Sequence, residues 1–230
     1  VKNIQSILAL PEGVMVARGD LGIEMGVEKV PRVQKMLIEE AEKAKVPVIT
    51  ATQMLETMID NPHPTRAEVS DIANAVFDGT DAVMLSGETS VGKFPVNAVR
   101  IMRKIIQEAE GRREAADAKR WDDGTADRSV YLPAIAHAAY NAAQEAKARA
   151  IVIFTRSGRI ARHLSKLKPG CMMLAATDSM KTLAQLNLLR GVRPMGVEKS
   201  LNPQTNQWED GRTTDGDVNV YGATAERYAQ

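Results

Sequence analysis

Apolar residues in the first 110 positions follow two rhythms. Val14–Ala17, Pro47–Ala51 and Ala82–Leu85 are short, mainly apolar runs. Each is too short for a helix and is bounded by glycine, proline or charge, which predicts buried parallel strands. Between them, Val30–Ala44 carries apolar residues at helical spacing (Val33, Met36, Leu37, Ile38), as do Ala67–Phe77 and Pro95–Arg112. Pro31 suits a first helical turn, and Thr65 with Glu68 has the spacing of a capping box. Strand starts recur about every 35 residues, the period of a βα unit.

The second half repeats the alternation on a smaller scale. Tyr131–Lys147 predicts a helix, Ala150–Thr155 a strand, Gly158–Lys168 a helix and Cys171–Thr177 a strand. Ser179–Arg190 predicts a further helix stopped by Gly191, and Val192–Val197 a last strand. The fold class is α/β. Residues 1–115 form one unit, 116–129 a charged linker and 130–197 a second unit, while 198–230 is a polar tail without assigned structure. Three βα units do not close a barrel, since eight parallel strands need about 250 residues. Periodicity alone therefore points to part of a barrel, either truncated or completed by another piece. Its open sheet edges predict marginal stability or aggregation for the isolated 230-residue chain.

Composition narrows the functional classes. With 44% apolar and 26% charged residues the chain can bury a core behind a polar surface. A formal net charge of +1 and 4% aromatics give no basic or stacking face for nucleic acid. No stretch reaches the roughly 18 apolar residues of a membrane span, and the N-terminus lacks a signal-peptide pattern. A cytoplasmic protein without membrane contact is expected. The single cysteine, Cys171, opens an apolar run and is expected as a buried small hydrophobe.

Polar groups gather where the first three strands end, which is where a βα barrel builds its active site. Val14–Ala17 runs into Arg18, Gly19, Asp20 and Gly22. The Asp20 carboxylate there suits an oxygen-ligated divalent cation or, more plainly, the cap of the next turn. Arg18-Gly19-Asp20 also spells an integrin-recognition tripeptide, but that role needs an exposed flexible loop and this one leaves a buried strand. Thr52 follows the second strand, with its hydroxyl expected to face the mouth or to serve structure alone. Ser86, Gly87 and Glu88 follow the third. Arg66 and Glu68 suit a pair across a subunit contact or, more plainly, helix capping, and His63, between two prolines, is read as a loop residue. Thr155-Arg156-Ser157-Gly158-Arg159 joins a strand to a helix N-terminus, a setting for an anion site or a plain N-cap.

The runs MVARGDLGIE, PVITATQMLETM, PTRAEVSDIANAVFDGTDAVMLSGETSVGKFP and IFTRSGRIARHLSKLKP resemble the later half of pyruvate kinase, over residues 1 to about 196. The resemblance implies a partial TIM (β/α)8 barrel, its last three βα units, followed by a small α/β regulatory domain. It implies phosphoryl transfer from phosphoenolpyruvate to ADP, giving pyruvate and ATP, with Mg2+ or Mn2+ and with K+ whose ligands lie outside this chain. By the same resemblance Asp20 holds the metal, and the Gly19 and Asp20 amides seat the substrate carboxylate. Thr52 flanks the reacting carbon as the catalytic residue, and Arg18, Ser86 and Glu88 support the site from behind. Thr155, Arg156, Ser157, Gly158 and Arg159 match the loop that takes the phosphate of a sugar-phosphate effector. Ile160 stands where the family often has a serine, which weakens the case for a bisphosphate. The parent is expected as a homotetramer. The family's catalytic lysine and second metal-binding glutamate fall before Val1, so these 230 residues alone are expected to be inactive. Two readings compete: a stand-alone, non-catalytic sugar-phosphate-binding or subunit-interaction protein, and another barrel enzyme acting on enolates. The latter needs a base, and no lysine or histidine sits at the three strand ends.

Overall fold

The computed structural model describes residues 3–10, 12–111, 131–197, 200–201 and 208–209. Helix α1 (Ile4–Leu8) precedes strand β1 (Val14–Ala17). Helix α2 (Arg18–Met25) follows directly, then a 3-10 turn over Val27–Lys29 and helix α3 (Val30–Lys43). Strand β2 (Val48–Ala51), a 3-10 turn over Glu56–Ile59 and helix α4 (Arg66–Asp78) make the second unit. Strand β3 (Ala82–Val83), helix α5 (Gly87–Ser90) and helix α6 (Pro95–Gly111) make the third. The strands form a parallel sheet in the order β1-β2-β3, with Val14 opposite Val48 and Ile49 opposite Ala82. This is an open arc of a βα barrel, with β1 and β3 as its edges.

Two apolar clusters hold the arc. Leu8, Val16, Ile38 and Val48 are buried together between β1, β2 and the helices α1 and α3. Met54, Leu55, Met58, Ile72 and Met102 are buried where the Glu56–Ile59 turn meets α4 and α6. The capping box at the start of α4 is complete. The Thr65 hydroxyl accepts from the Glu68 amide, and the Glu68 carboxylate accepts from the Thr65 amide.

The second unit begins with helix α7 (Tyr131–Glu145) and strand β4 (Ala150–Phe154). Helix α8 (Arg159–Leu167), strand β5 (Met172–Thr177), helix α9 (Met180–Leu186) and strand β6 (Val192–Gly196) follow. Its sheet is parallel, in the order β4-β5-β6, over a core that includes Tyr140, Ile153, Leu164 and Met173.

Several expectations are corrected. The third strand pairs only at Ala82 and Val83, not to Leu85, because the chain must turn at Ser86 into α5; one further ladder bond runs from the Met84 amide to the Thr50 carbonyl. The helix expected to reach Arg190 ends at Leu186. Asn187, Leu188 and Leu189 bond to carbonyls three residues back, a tightened exit that drops Leu189 into the core. Cys171 precedes β5 and is only half-buried, although burial pushes its thiol pKa upward. Within the polar tail, Ser200–Leu201 and Trp208–Glu209 pair antiparallel as β7 and β8. The linker expected at 116–129 lies outside the described residues.

Candidate active site

The C-terminal ends of β1 and β2 lie side by side, because the register pairs Ala17 with Ala51. Arg18, Gly19 and Asp20 are the first three residues of α2, so the tripeptide is a helix start and not a flexible loop. Asp20 is exposed in the first turn, where a carboxylate also favours the positive end of the helix dipole. No side chain of α2's own N-terminus caps it. The cap comes from the neighbouring strand end, where the Gly19 amide donates to the Thr52 hydroxyl at 2.9 Å. That hydroxyl in turn donates to the Ala51 carbonyl at 2.6 Å.

Thr52 and Gln53 have φ of 70° and 54°, both in the left-handed region. For a β-branched residue this is unfavourable, and the surroundings explain why it persists. Arg18 is 8% exposed and turns back beneath the strand ends. Its Nε donates to the carbonyls of Ala51 and Thr52, and its Nη2 to those of Thr52 and Gln53. Its Nη1 meets Asp71 Oδ2 at 2.6 Å. Sequence reasoning placed Arg18 behind the site but missed both Asp71 and the left-handed turn. Asp71 is 53 residues from Arg18, with no local signal linking the two.

Ser86 and Gly87 start α5 after β3. Glu88 is 3% exposed and its carboxylate faces inward. Oε1 accepts from the Leu55 amide at 3.0 Å and Oε2 from the Ser86 amide at 2.6 Å. Glu88 therefore braces the chain just beyond Thr52 against the third strand end. Glu68 does comparable work at the Glu56–Ile59 turn by accepting from the Thr57 amide and hydroxyl. Burial pushes its pKa up, but the hydrogen bonds from Thr57 and Thr65 outweigh that and hold the carboxyl below its usual value. His63 lies exposed between turn and helix.

Among the described residues no three His, Cys, Asp or Glu side chains converge as a metal-holding group. Asp20 belongs to no such group, whereas Mg2+ is held by one or two carboxylates plus water and substrate oxygens. It fits as one ligand of a shared site and not as a whole one.

The second motif lies on the far unit. The Thr155 hydroxyl accepts from the Gly158 amide at 2.9 Å, and Gly158, at φ 75°, N-caps α8. The Arg156 carbonyl accepts from the Thr182 hydroxyl at 2.7 Å, which ties the loop to α9. The Arg156 side chain is exposed, 3.9 Å from Asp178. Ser157 and Arg159 are exposed beside it. The structure brings Arg18, Gly19, Thr52 and Glu88 into one neighbourhood and leaves the Thr155–Arg159 loop in the other unit.

Parallel strands, each followed by helix, with polar groups collected at their C-terminal ends define a segment of a barrel enzyme carrying an appended α/β unit. Family models agree on both halves: the pyruvate kinase barrel domain matches residues 1–99 and the pyruvate kinase alpha/beta domain matches residues 133–218. The chain belongs to the pyruvate kinase family. It is 48% identical over 197 residues to pyruvate kinase 2 of Synechocystis sp., covering 86% of this chain and 32% of that one. It is 44% identical to the pyruvate kinase of Clostridium acetobutylicum, covering 86% of this chain and 42% of the relative. The crystal structure of a pyruvate kinase from Cryptosporidium parvum superposes with a TM-score of 0.81 at 38% identity, over 89% of this chain and 41% of that chain. The chain therefore spans between 32% and 42% of the length of these relatives.

Proposed function

We propose that this segment supplies one wall of an active site that moves a phosphoryl group from phosphoenolpyruvate to ADP. The observation that supports this reading best is the junction of β1 and β2, where Arg18 and the Gly19–Thr52 bond bind two strand ends into one rigid rim. In the reaction the bond between phosphorus and the enol oxygen breaks, and a bond to the terminal ADP oxygen forms. The enolate then takes a proton at its methylene carbon. Gly19 and Asp20 contribute amides to the substrate carboxylate, Thr52 lies beside the carbon that is protonated, and Ser86 and Glu88 hold the rim. Asp20 supplies one metal ligand. Mg2+ or Mn2+, when bound, neutralises charge on the phosphoryl oxygens. The lysine, the second carboxylate and the K+ ligands come from outside these residues, so the 230-residue chain by itself is inactive.

The Thr155–Arg159 loop is the proposed site for an effector phosphate, within a regulatory unit of residues 130–197 that follows a barrel unit of 1–115. A homotetrameric, cytoplasmic parent completes the reading. The test is the intact mass of the native polypeptide together with phosphoenolpyruvate-dependent ATP formation. A mass about twice that of this chain, with activity lost in Thr52→Ala and Asp20→Asn, is expected. A native product of 25.1 kDa without activity overturns the catalytic reading in favour of a binding protein.

A further inference from the structure

Thr52 cannot hold its backbone conformation unaided. The left-handed region is unfavourable for a residue with a side chain, and here two such residues stand in succession. Such strain persists where the surroundings over-determine it. What over-determines it here is one guanidinium. Arg18 collects the carbonyls of Ala51, Thr52 and Gln53, which converge on it across the left-handed turn. A cation buried to this degree needs a counter-charge, and the fork of an arginine is oriented by the carboxylate it meets. Asp71 is that carboxylate. It projects from α4, whose start is fixed by the Thr65–Glu68 box and by the Glu68 bonds to Thr57. Asp71 stands on no strand end, and it accepts from Arg18.

Building on the proposed function, we infer that Asp71 is a positioning residue for Thr52. By orienting Arg18 it holds the Thr52–Gln53 turn left-handed and so keeps the Thr52 hydroxyl on the Gly19 amide. It makes no contact with substrate in this role.

The test compares Asp71→Asn, Asp71→Glu, Thr52→Ala and the Asp71→Asn/Thr52→Ala pair in the complete native polypeptide. Steady-state constants are measured for phosphoenolpyruvate, and amide hydrogen exchange is followed at Gly19 and Leu55. Asp71→Asn is expected to lower kcat by about tenfold or more with KM within about twofold, since small misplacements of a reacting group act on the chemical step. Asp71→Glu recovers most of the loss. On the Thr52→Ala background, Asp71→Asn costs less than about twofold further, because residues acting through one another are not additive. Gly19 exchanges about tenfold faster in both Asp71→Asn and Thr52→Ala, while Leu55, held by Glu88, does not. Unchanged kcat in Asp71→Asn, multiplying losses in the pair, or equal acceleration at Leu55 would each overturn the inference. If the wild-type polypeptide forms no ATP from phosphoenolpyruvate, the functional reading fails alone, and exchange at Gly19 still decides the role of Asp71.

Discussion

Glu88 is an acid whose work is done by accepting. It is nearly sealed from water and takes two backbone amides, Leu55 and Ser86, at once. Glu88→Gln turns one acceptor oxygen into a donor facing an amide. It should cost about 1–3 kcal/mol, the penalty for orphaning a buried partner, as read by urea denaturation. Glu68 is more exposed, and its effect is on pH dependence. Because its folded pKa lies below the ordinary value of 4.5, its stabilisation is present above that value and is lost as pH falls through the folded pKa. Glu68→Gln should therefore flatten the fall in stability below about pH 4.5, measured by thermal melts across acid pH. The sequence disclosed Glu68 because its partner Thr65 lies three residues away on a helix start. It did not disclose Asp71, since an ion pair across 53 residues leaves no periodic trace.

At the scale of elements, helices and strands were legible wherever one apolar rhythm ran uninterrupted. The strand β1 and the helices α3, α4 and α6 stand within a residue or two of expectation. The misses fall where tertiary contacts cut an element short. The exit of α9 tightens to bury Leu189, and β3 gives way to the turn that Glu88 holds. Helix α2 was missed because its opening turn, Arg18-Gly19-Asp20, contains a glycine and reads as a loop. Its missing cap comes from Thr52 on another strand. The other end of a helix shows the complementary rule. Gly79 closes α4 at φ 107°, and an added Cβ would lie 3.0 Å from Lys168 Nζ. Gly79→Ala should lower stability by about 1 kcal/mol or more, seen as a reduced Tm.

At the scale of the whole molecule, the described residues form three apolar clusters, two in the barrel arc and one in the α/β unit. Each draws its residues from one unit only, and the described join between units is chiefly ionic. Lys166 on α8 meets Asp81 at 2.5 Å, with the two side chains 3% and 2% exposed. Asp81 also accepts from the Val48 amide at the start of β2. Lys168 pairs with Glu42 at 2.6 Å, and Arg190 bonds the Val76 carbonyl and Glu110. Lys181 with Glu12 forms an outer, exposed pair. Lys166→Met should cost about 3–5 kcal/mol by stranding the Asp81 charge, and Asp81→Asn in the same chain should recover part of it. Salt at 1 M, where screening acts over about 3 Å, should weaken the outer pair and leave the buried one. Calorimetry of the single and double variants with and without salt checks both points. Sequence periodicity separated the two units but could not show this seam, because lysines spaced along an amphipathic helix look the same whether they meet water or a carboxylate.

The Gly19 amide has a consequence for the order of events. In this structure it is occupied, with the Thr52 hydroxyl as its acceptor. Under the proposed function, a substrate carboxylate that takes this amide replaces the hydroxyl as its acceptor, while Arg18 keeps its hold on the Thr52 and Gln53 carbonyls. The acceptors exchange on a turn that stays where it is.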